Sequence, residues 1–529
     1  MSRIETDSPL AVTLVLPAQL VPVWLRNVFV RLCNADFVSL SVAAVSTERE
    51  RYVSKSSLFD VWMWLETTTF GHKISAAEHS EDLVDISKEY GSEHPGGFSI
   101  AALDDLEQSI QQSKADVIVW MLPDRPPAGM VSLAKHGVLT IADAFNKTFG
   151  FGEFVNQELA TRCDVVVYGN APSEDHVLAS SFAATDSVLF ARGINGARAK
   201  CEALLMSSIK RIWQQADPRL DGIPGVSAKP WRRAPPNFLR TVWGLLRLYS
   251  RYLAAKLMQP FQFDQWQIGY RTGGDRLDQK GLQRLAPSHK GFWADPFVAE
   301  KDGHKFIFFE EYLQETSRGH IAAIEIHPDG QVGEPVNVLM RDYHLSYPFL
   351  FEYDDALYMV PESERSGRVE VFRCQQFPQR WEPHAVLLDG IRAFDPTLIE
   401  HDGKWWMFVT IQHDGNSPND ELHLFYAASP FDEWIPHPLN PVRLDVRAAR
   451  PAGAVFRDKG KLFRPAQDCS GRYGRAISIQ EVRCMTPEKY EEVESRRISA
   501  DWAAGAHATH TINQASGVTV YDCEVKRRK

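Results

Sequence analysis

Two aspartates, Asp295 and Asp395, each precede a proline and stand eight residues ahead of a tight-turn position. Two glutamates, Glu310 and Glu362, stand seven residues after such a position. Carboxylates recurring at fixed spacing suit chemistry at a glycosidic bond. One acts as base or nucleophile, and another, kept protonated, acts as acid on the leaving oxygen. Crowding also raises the pKa of one of them, which helps to create that acid. Trp293, Trp405 and Trp406 lie near these acids in sequence and offer faces on which sugar rings stack, although any single Trp more often fills a core.

The spacing comes from a repeat. WADPFVAEKDGHKFIFFEE (293–311), SYPFLFEYDDALYMVPES (346–363) and FDPTLIEHDGKWWMFVT (394–410) align, and AGAVFRDKGKLFRPAQD (452–468) aligns more loosely. Anchored on Gly303, Asp355, Gly403 and Gly460, the units are spaced by 52, 48 and 57 residues. Each reads as an apolar strand, a tight turn and an aromatic-rich strand, and the intervening HIAAIEIH or VEVFR supplies further strands. Four strands in roughly 50 residues make a propeller blade. Thr509–Val520 supplies a degenerate fifth unit, and Gln265–Tyr270 (QWQIGY) is expected to close the ring against it.

The innermost strands of a propeller line its axis, so equivalent repeat positions converge there. Asp295, Tyr347 and Asp395 are expected around one funnel, with Glu310, Glu362 and Gln467 one hairpin strand away. Asp before Pro also serves simply to cap a turn. A purely structural position, however, would keep one residue, whereas this one holds Asp, Tyr, Asp and Ala452. Arg450, Asp468 and Tyr473 are either surface-loop residues or holders of anionic and hydroxyl groups. His510 would enter the funnel from the fifth unit. The pair His507 and His510 is too sparse to predict a metal.

These elements require a positioning frame, and 529 residues suffice for two or three domains. The first 213 residues alternate strand and helix. Strands are expected at Ala11–Pro17, Asp36–Val45, Ala115–Leu122, Gly137–Ile141, Asp164–Tyr168 and Ser187–Phe190. Helices are expected at Leu20–Leu32, Leu103–Gln112 and Ala197–Trp213. Such alternation reads as an α/β layer with a largely parallel sheet. Residues 214–262 read as a Pro-rich linker followed by a helix at Asn237–Met258, and the propeller would occupy 263–529. The helix has a broad apolar stripe and only positive charges. It suits either an anionic membrane surface or a place between the domains.

Net charge is −10 without a long basic run, which argues against a nucleic-acid partner. The 7 cysteines are scattered and never form C-x-x-C, which fits a reducing compartment without zinc or a disulfide framework. Residues 1–9 carry Glu5 and Asp7 where a secretion signal needs positive charge, and no apolar run reaches membrane-span length. A cytoplasmic protein is expected, peripheral at the inner face of the membrane if the basic helix binds there. No cofactor is expected, because no G-x-G-x-x-G or P-loop occurs and GFGEF at 150–154 is too short. The sequence leaves the oligomeric state open.

The motifs ADPF…FFEE, SYPF…MVPE, FDPTLIEHDGKWWMF and RPAGAVF…RPAQDCS…YG resemble the N-terminal domain of plant glucosamine inositolphosphorylceramide transferase and its bacterial relatives. That domain is similar in turn to the five-bladed propellers of arabinanases, xylosidases and invertases. The resemblance spans about Gln265 to Asp522. It implies a role for Asp295 as base or nucleophile. Where those hydrolases carry a further Asp in the second blade, this chain has Tyr347, which counts against simple hydrolysis. In the plant enzyme the transferase activity is assigned to another, C-terminal domain without a counterpart in these residues. Residues 115–145 (ADVIVWMLPDRPPAGMVSLAKHGVLTIADAF) are similar to formyltransferase domains, but Thr140 and Ala142 stand where that family carries Asn and His. This Rossmann-like domain is therefore expected to be a scaffold or recognition module.

The resulting expectation is a multidomain protein, α/β followed by an all-β five-bladed propeller, that transfers sugar in polysaccharide or glycolipid biosynthesis. Asp295, Asp395 and Glu362 would be catalytic. Glu310, Tyr347, Trp293, Arg450, Gln467, Asp468, Tyr473 and His510 would contact a carbohydrate or glycolipid substrate. A nucleotide sugar or sugar phosphate would be the donor, with Arg450 on a phosphate. The alternatives are a glycoside hydrolase on the same propeller and a non-catalytic binder of carbohydrate or lipid head groups.

Overall fold

The computed structural model describes residues 8–45 without 18–19, short pieces within 59–101, 105–214 without 147, 238–258, and 261–528 without 289–290 and 414–416. The chain divides into two compact units, Met1–Arg251 and Tyr252–Lys529. The expected linker falls almost wholly outside the described residues.

In the first unit, Leu10–Pro17 is an apolar inner strand, third in a sheet of seven. It pairs in parallel with Val38–Val45 on one side and Val117–Trp120 on the other. Phe98–Ala101 and Val138–Ile141 extend the parallel part outward. The continuous β-branched runs suit strands covered on both faces. Two antiparallel strands then follow, Ala160–Tyr168 and His176–Ala184.

The strand expected at Ser187–Phe190 is instead the approach to a helix, Phe190–Trp213. Asp186 Oδ1 accepts from the Val188 and Leu189 amides, both at 2.8 Å, which turns the chain into that helix. The true strand, His176–Ala184, is masked in sequence by serines on a buried face. Ser180 there donates to Asp164 Oδ1 at 2.5 Å. Thr140 donates its hydroxyl to the Trp120 carbonyl at 2.9 Å, so this side chain holds two strands together.

The second unit is a five-bladed propeller. Its first three blades start at Phe292–Lys301, Ser346–Tyr353 and Ala393–His401, and the fourth at Phe456–Asp458. The fifth joins Ile512–Ala515 and Val518–Arg528 to Gln262–Thr272, which pairs antiparallel with Val518–Arg528 from Gln262↔Arg528 to Thr272↔Val518. Early and late chain segments thus share one blade and close the ring.

Every blade turns its first hairpin through two residues of positive φ: Asp302–Gly303, Asp354–Asp355, Asp402–Gly403, Lys459–Gly460 and Ser516–Gly517. This is the backbone that a two-residue hairpin needs to match strand twist. Ser516–Gly517 marks the degenerate unit as a fifth copy.

A second irregularity repeats as well. Register slips between Ala294 and Phe297, Ser346 and Phe349, and Phe394 and Thr397. The residue inside each slip has positive φ: Asp295 at 53°, Tyr347 at 44° and Asp395 at 51°. Bulges re-aim a side chain, and the following proline has no N–H to lose from the ladder. A non-glycine residue pays about 1 kcal/mol or more for this conformation.

The fourth blade bends at Gly453 instead, with φ 129°. A Cβ there would lie 2.0 Å from the Ile512 carbonyl oxygen, so glycine is required for close approach to the fifth blade. Gly453→Ala is expected to lower unfolding free energy by roughly 2–4 kcal/mol in denaturant titration. Gly460→Ala, with φ 79° and nothing within 4 Å of its Cβ, should lose only about 1 kcal/mol.

Candidate active site

The bulges deliver Asp295 and Asp395 to one buried cluster, each no more than 4% exposed. Arg450, from the loop entering the fourth blade, ties it together. Its Nε donates to Asp395 Oδ2 at 2.7 Å and its Nη2 to Glu362 Oε2 at 2.9 Å. Nη1 donates to Asn419 Oδ1 at 3.0 Å. The guanidinium also packs over the rings of Phe394 and Tyr473, at 5.1 and 5.2 Å. Gln467 Nε2 adds a bond to Asp395 Oδ2 at 2.9 Å.

Arg450 is itself positioned by a buried ion pair. Arg464 meets Glu492 through Nε and Nη2, at 2.9 and 2.7 Å. The same guanidinium donates to the carbonyls of Ala448 and Ala449, just ahead of Arg450. A planar fork with several donors suits this double duty.

Asp295 belongs to a second group. Its Oδ1 accepts from the Thr511 hydroxyl at 2.7 Å and lies 3.4 Å from His510 Nε2. The other ring nitrogen of His510, Nδ1, is 2.6 Å from Asp522 Oδ2. Asp522 also accepts from the amides of Asp295, His510 and Thr511. The imidazole lies against Trp266, with ring centroids 4.1 Å apart. Asp295, His510 and Asp522 are grouped closely enough to suggest cation ligands. The 2.6 Å approach of Nδ1 to Asp522 is an ion-pair contact when the imidazole is protonated. His507 turns away to Glu524 at 3.0 Å, so the two histidines do not share a site.

Burial and neighbouring charge set the proton affinities. Burial pushes the Asp295 carboxyl up to about 7; His510 opposes the rise, and Asp395, Asp522 and Glu310 add to it. Glu362 is held well above the usual carboxylate range, first by burial and then by the charge of Asp395, with Arg450 opposing. Burial alone would lower His510, yet Asp522 and Asp295 carry it up to about 9.

The remaining candidates divide. Glu310 is buried, and its Oε1 lies 3.2 Å from Nε2 of the half-buried His344. Tyr473 is 42% exposed and packs edge-on against His510 at 5.2 Å, an aromatic face at the margin of the cluster. Tyr347 spends its hydroxyl on Thr397 Oγ1 and the Gly453 amide, both at 2.8 Å. Asp468 faces elsewhere, toward Ser470, Arg475 and Arg497.

The tryptophans expected to line the pocket are core residues. Trp293 packs on Phe309 at 4.9 Å and joins the apolar layer containing Ile268 and Ile307. Trp405 lies in the layer with Met407 and Phe351, and Trp406 packs on Tyr426. Strand alternation sends these indoles between blades while the bulged aspartates face the axis. Arg450 likewise spends its fork on protein acceptors, which leaves little of it for a phosphate. Sequence reasoning missed Asn419, His344, Thr511 and Asp522. Asp522 carried a usable signal, an acid inside the apolar strand GVTVYDCEV.

The raised affinities of Asp295 and His510 act on stability in one direction. A histidine raised from 6.5 to about 9 stabilises the fold fully below 6.5 and loses that contribution as pH climbs through about 9. A carboxyl raised from 3.8 to about 7 favours the fold most below 3.8, and its contribution falls up to about 7. Unfolding free energy from urea titration should therefore drop between about pH 6.5 and 9 by roughly 3 kcal/mol. In His510→Gln most of that dependence should vanish.

Residues 283–515 match the family described as Glucosamine inositolphosphorylceramide transferase 1, N-terminal. Glucosamine inositolphosphorylceramide transferase 1 from Oryza sativa subsp. japonica is 35% identical over 206 residues, covering 38% of this chain and 28% of the relative. The Arabidopsis thaliana protein of the same name is 34% identical over 208 residues, covering 38% and 27%. The chain thus matches only about a quarter of the length of these relatives. Among solved structures, the family 117 glycoside hydrolase Zg3597 from Zobellia galactanivorans is similar at 13% identity and a TM-score of 0.34, covering 49% of this chain and 90% of its own. The GH43 β-xylosidase/α-arabinofuranosidase CoXyl43 from a compost metagenome gives 13% and 0.34, covering 49% and 95%. Likeness of that size says nothing about chemistry. On the sequence match, the propeller segment 283–515 is similar to the N-terminal domains of glucosamine inositolphosphorylceramide transferases.

Proposed function

We propose that the propeller axis is a site of sugar transfer in the assembly of glycolipids or surface polysaccharides. The observation carrying this reading is the burial of Asp295, Glu362 and Asp395 near one another, with the proton affinities of Asp295 and Glu362 both raised and the charge of Asp395 adding to each. Carboxyls raised toward neutral pH can hold or take a proton there, as general acid and base catalysis requires.

In this reading Asp295 is the base. Its Oδ1 is occupied by Thr511 and His510, and Oδ2 takes the proton of an acceptor hydroxyl. The acceptor oxygen then bonds to the anomeric carbon as the bond to the donor's leaving group breaks. Glu362, held well above the usual carboxylate range, delivers its proton to that leaving oxygen. Asp395 faces the positive charge developing on the sugar, and Arg450 keeps it beside Glu362. Tyr473 offers its exposed ring as a stacking face. The relatives' name favours a glycolipid acceptor. A nucleotide sugar or sugar phosphate is the donor, and the first unit serves as scaffold or recognition module.

Hydrolysis is disfavoured by Tyr347, whose hydroxyl is committed to Thr397 and Gly453 where the hydrolase propellers carry an acid. A thermal-shift screen of nucleotide sugars and sugar phosphates tests the donor. Turnover of a stabilising donor should fall about 10²–10⁴-fold in Asp295→Asn and in Glu362→Gln, with little change in KM. The transfer reading fails if aryl glycosides are cleaved without any acceptor. It also fails if glycans bind equally to wild type and Asp295→Asn while no donor turns over.

A further inference from the structure

The helix Phe238–Met258 contains no acidic residue and carries Arg240, Arg247, Arg251 and Lys256. Its buried residues are Thr241, Gly244 and Leu248, one narrow seam at helical spacing. That seam packs inside the first unit. A Cβ on Gly244 would come within 2.5 Å of a Val155 methyl and 2.8 Å of its carbonyl oxygen, so the two backbones are in close contact. Beside the seam Arg251 donates to Gln157, and on the helix flank Tyr249 packs edge-on against Trp62 at 5.6 Å.

The opposite side carries large apolar residues exposed to solvent: Leu239 at 75%, Trp243 at 69%, Leu246 at 61%, Leu253 at 58% and Leu257 at 64%. At roughly 100° per residue they form a continuous stripe turned about 180° from the seam. Arg240 and Arg247 fall along one border of that stripe, and Lys256 lies toward the other. A water-facing helix would bury such leucines and expose its charges. This helix is anchored through its narrow side and exposes its broad apolar one.

We propose that this face docks onto an anionic lipid bilayer, lying in the interface with the stripe at the headgroup–acyl boundary and the cations among the phosphates. Charge selects the occupant. A second copy of the same face would set arginines against arginines without an acid to answer them, whereas a negative surface attracts each one. Trp243 sits mid-stripe, and an indole prefers the interface. No described helix is long and apolar enough to cross a membrane, so the contact lies along the surface. Such docking brings the protein to the layer where lipid-linked acceptors reside, but it stands independently of the chemistry at the propeller axis.

Sedimentation of the full chain with phosphatidylcholine vesicles, with and without phosphatidylglycerol, tests the proposal. Binding should require phosphatidylglycerol and weaken with added salt. Arg247→Gln with Lys256→Gln should lower the partition coefficient by about thirtyfold. Trp243→Glu with Leu246→Glu should abolish binding. All four positions are on the exposed side, so the thermal midpoint should hold in both variants. Equal binding to neutral vesicles, no binding to either, or retention by Trp243→Glu/Leu246→Glu would overturn it. So would a dimer in gel filtration that Trp243→Glu/Leu246→Glu splits while vesicle binding persists.

Discussion

Burying a carboxylate in a protein interior costs several kcal/mol unless cations and hydrogen-bond donors replace the lost water. The propeller axis buries Asp295, Glu362, Asp395 and Asp522, and among the described residues the cations touching them are Arg450 and His510. The acids outnumber those partners. Some of the deficit is met by neutral donors, Thr511, Gln467 and backbone amides. The rest appears as retained protons: Glu362 is driven well above its ordinary range and Asp295 to about 7. The same shortage of positive charge that strains the fold gives the site an acid and a base.

That arrangement rests on details of backbone. An ordinary pleat would alternate residues across each inner strand, and a strand without a slip would turn the aspartates into the layers where Trp293 and Trp405 pack. The Xaa-Pro bulge breaks the alternation at one repeat position in each of the first three blades. Holding Asp295 and Asp395 in left-handed conformations is unfavourable locally, and it persists because Arg450 fixes the Asp395 side chain, Thr511 the Asp295 side chain and Asp522 the Asp295 amide. Strain and electrostatic compensation therefore support each other.

Much of this was legible in the sequence because propeller repeats are local. The turn pairs, the spacing and the Asp-Pro steps lie within each hairpin, and ring closure follows once five units are counted. Convergence of distant acids on the axis could be foreseen from topology alone. What escaped were relations set by neighbouring blades. Asn419 reaches Arg450 from a loop, Asp522 acts through amides of another strand, and the indoles near the acids in sequence occupy a different layer. In the first unit, buried serines hid the strand His176–Ala184, because a polar residue on an inner face looks exposed until its partner, here Asp164, is known.

The second blade shows how one substitution reshapes the whole cluster. Tyr347 occupies the bulge where blades one and three carry Asp, yet it is completely buried and its ring packs edge-on against Phe297 at 4.9 Å. Its hydroxyl bridges Thr397 in the third blade to the Gly453 amide in the fourth. A third aspartate at this position would add another buried charge beside Asp395 without a further cation, and proton affinities around the axis would climb again. Tyrosine instead fills the volume, satisfies an amide that the bend at Gly453 leaves outside any ladder, and remains neutral. The departure from the repeat joins three blades at the axis and keeps a further acid from deepening the shortage of positive charge there.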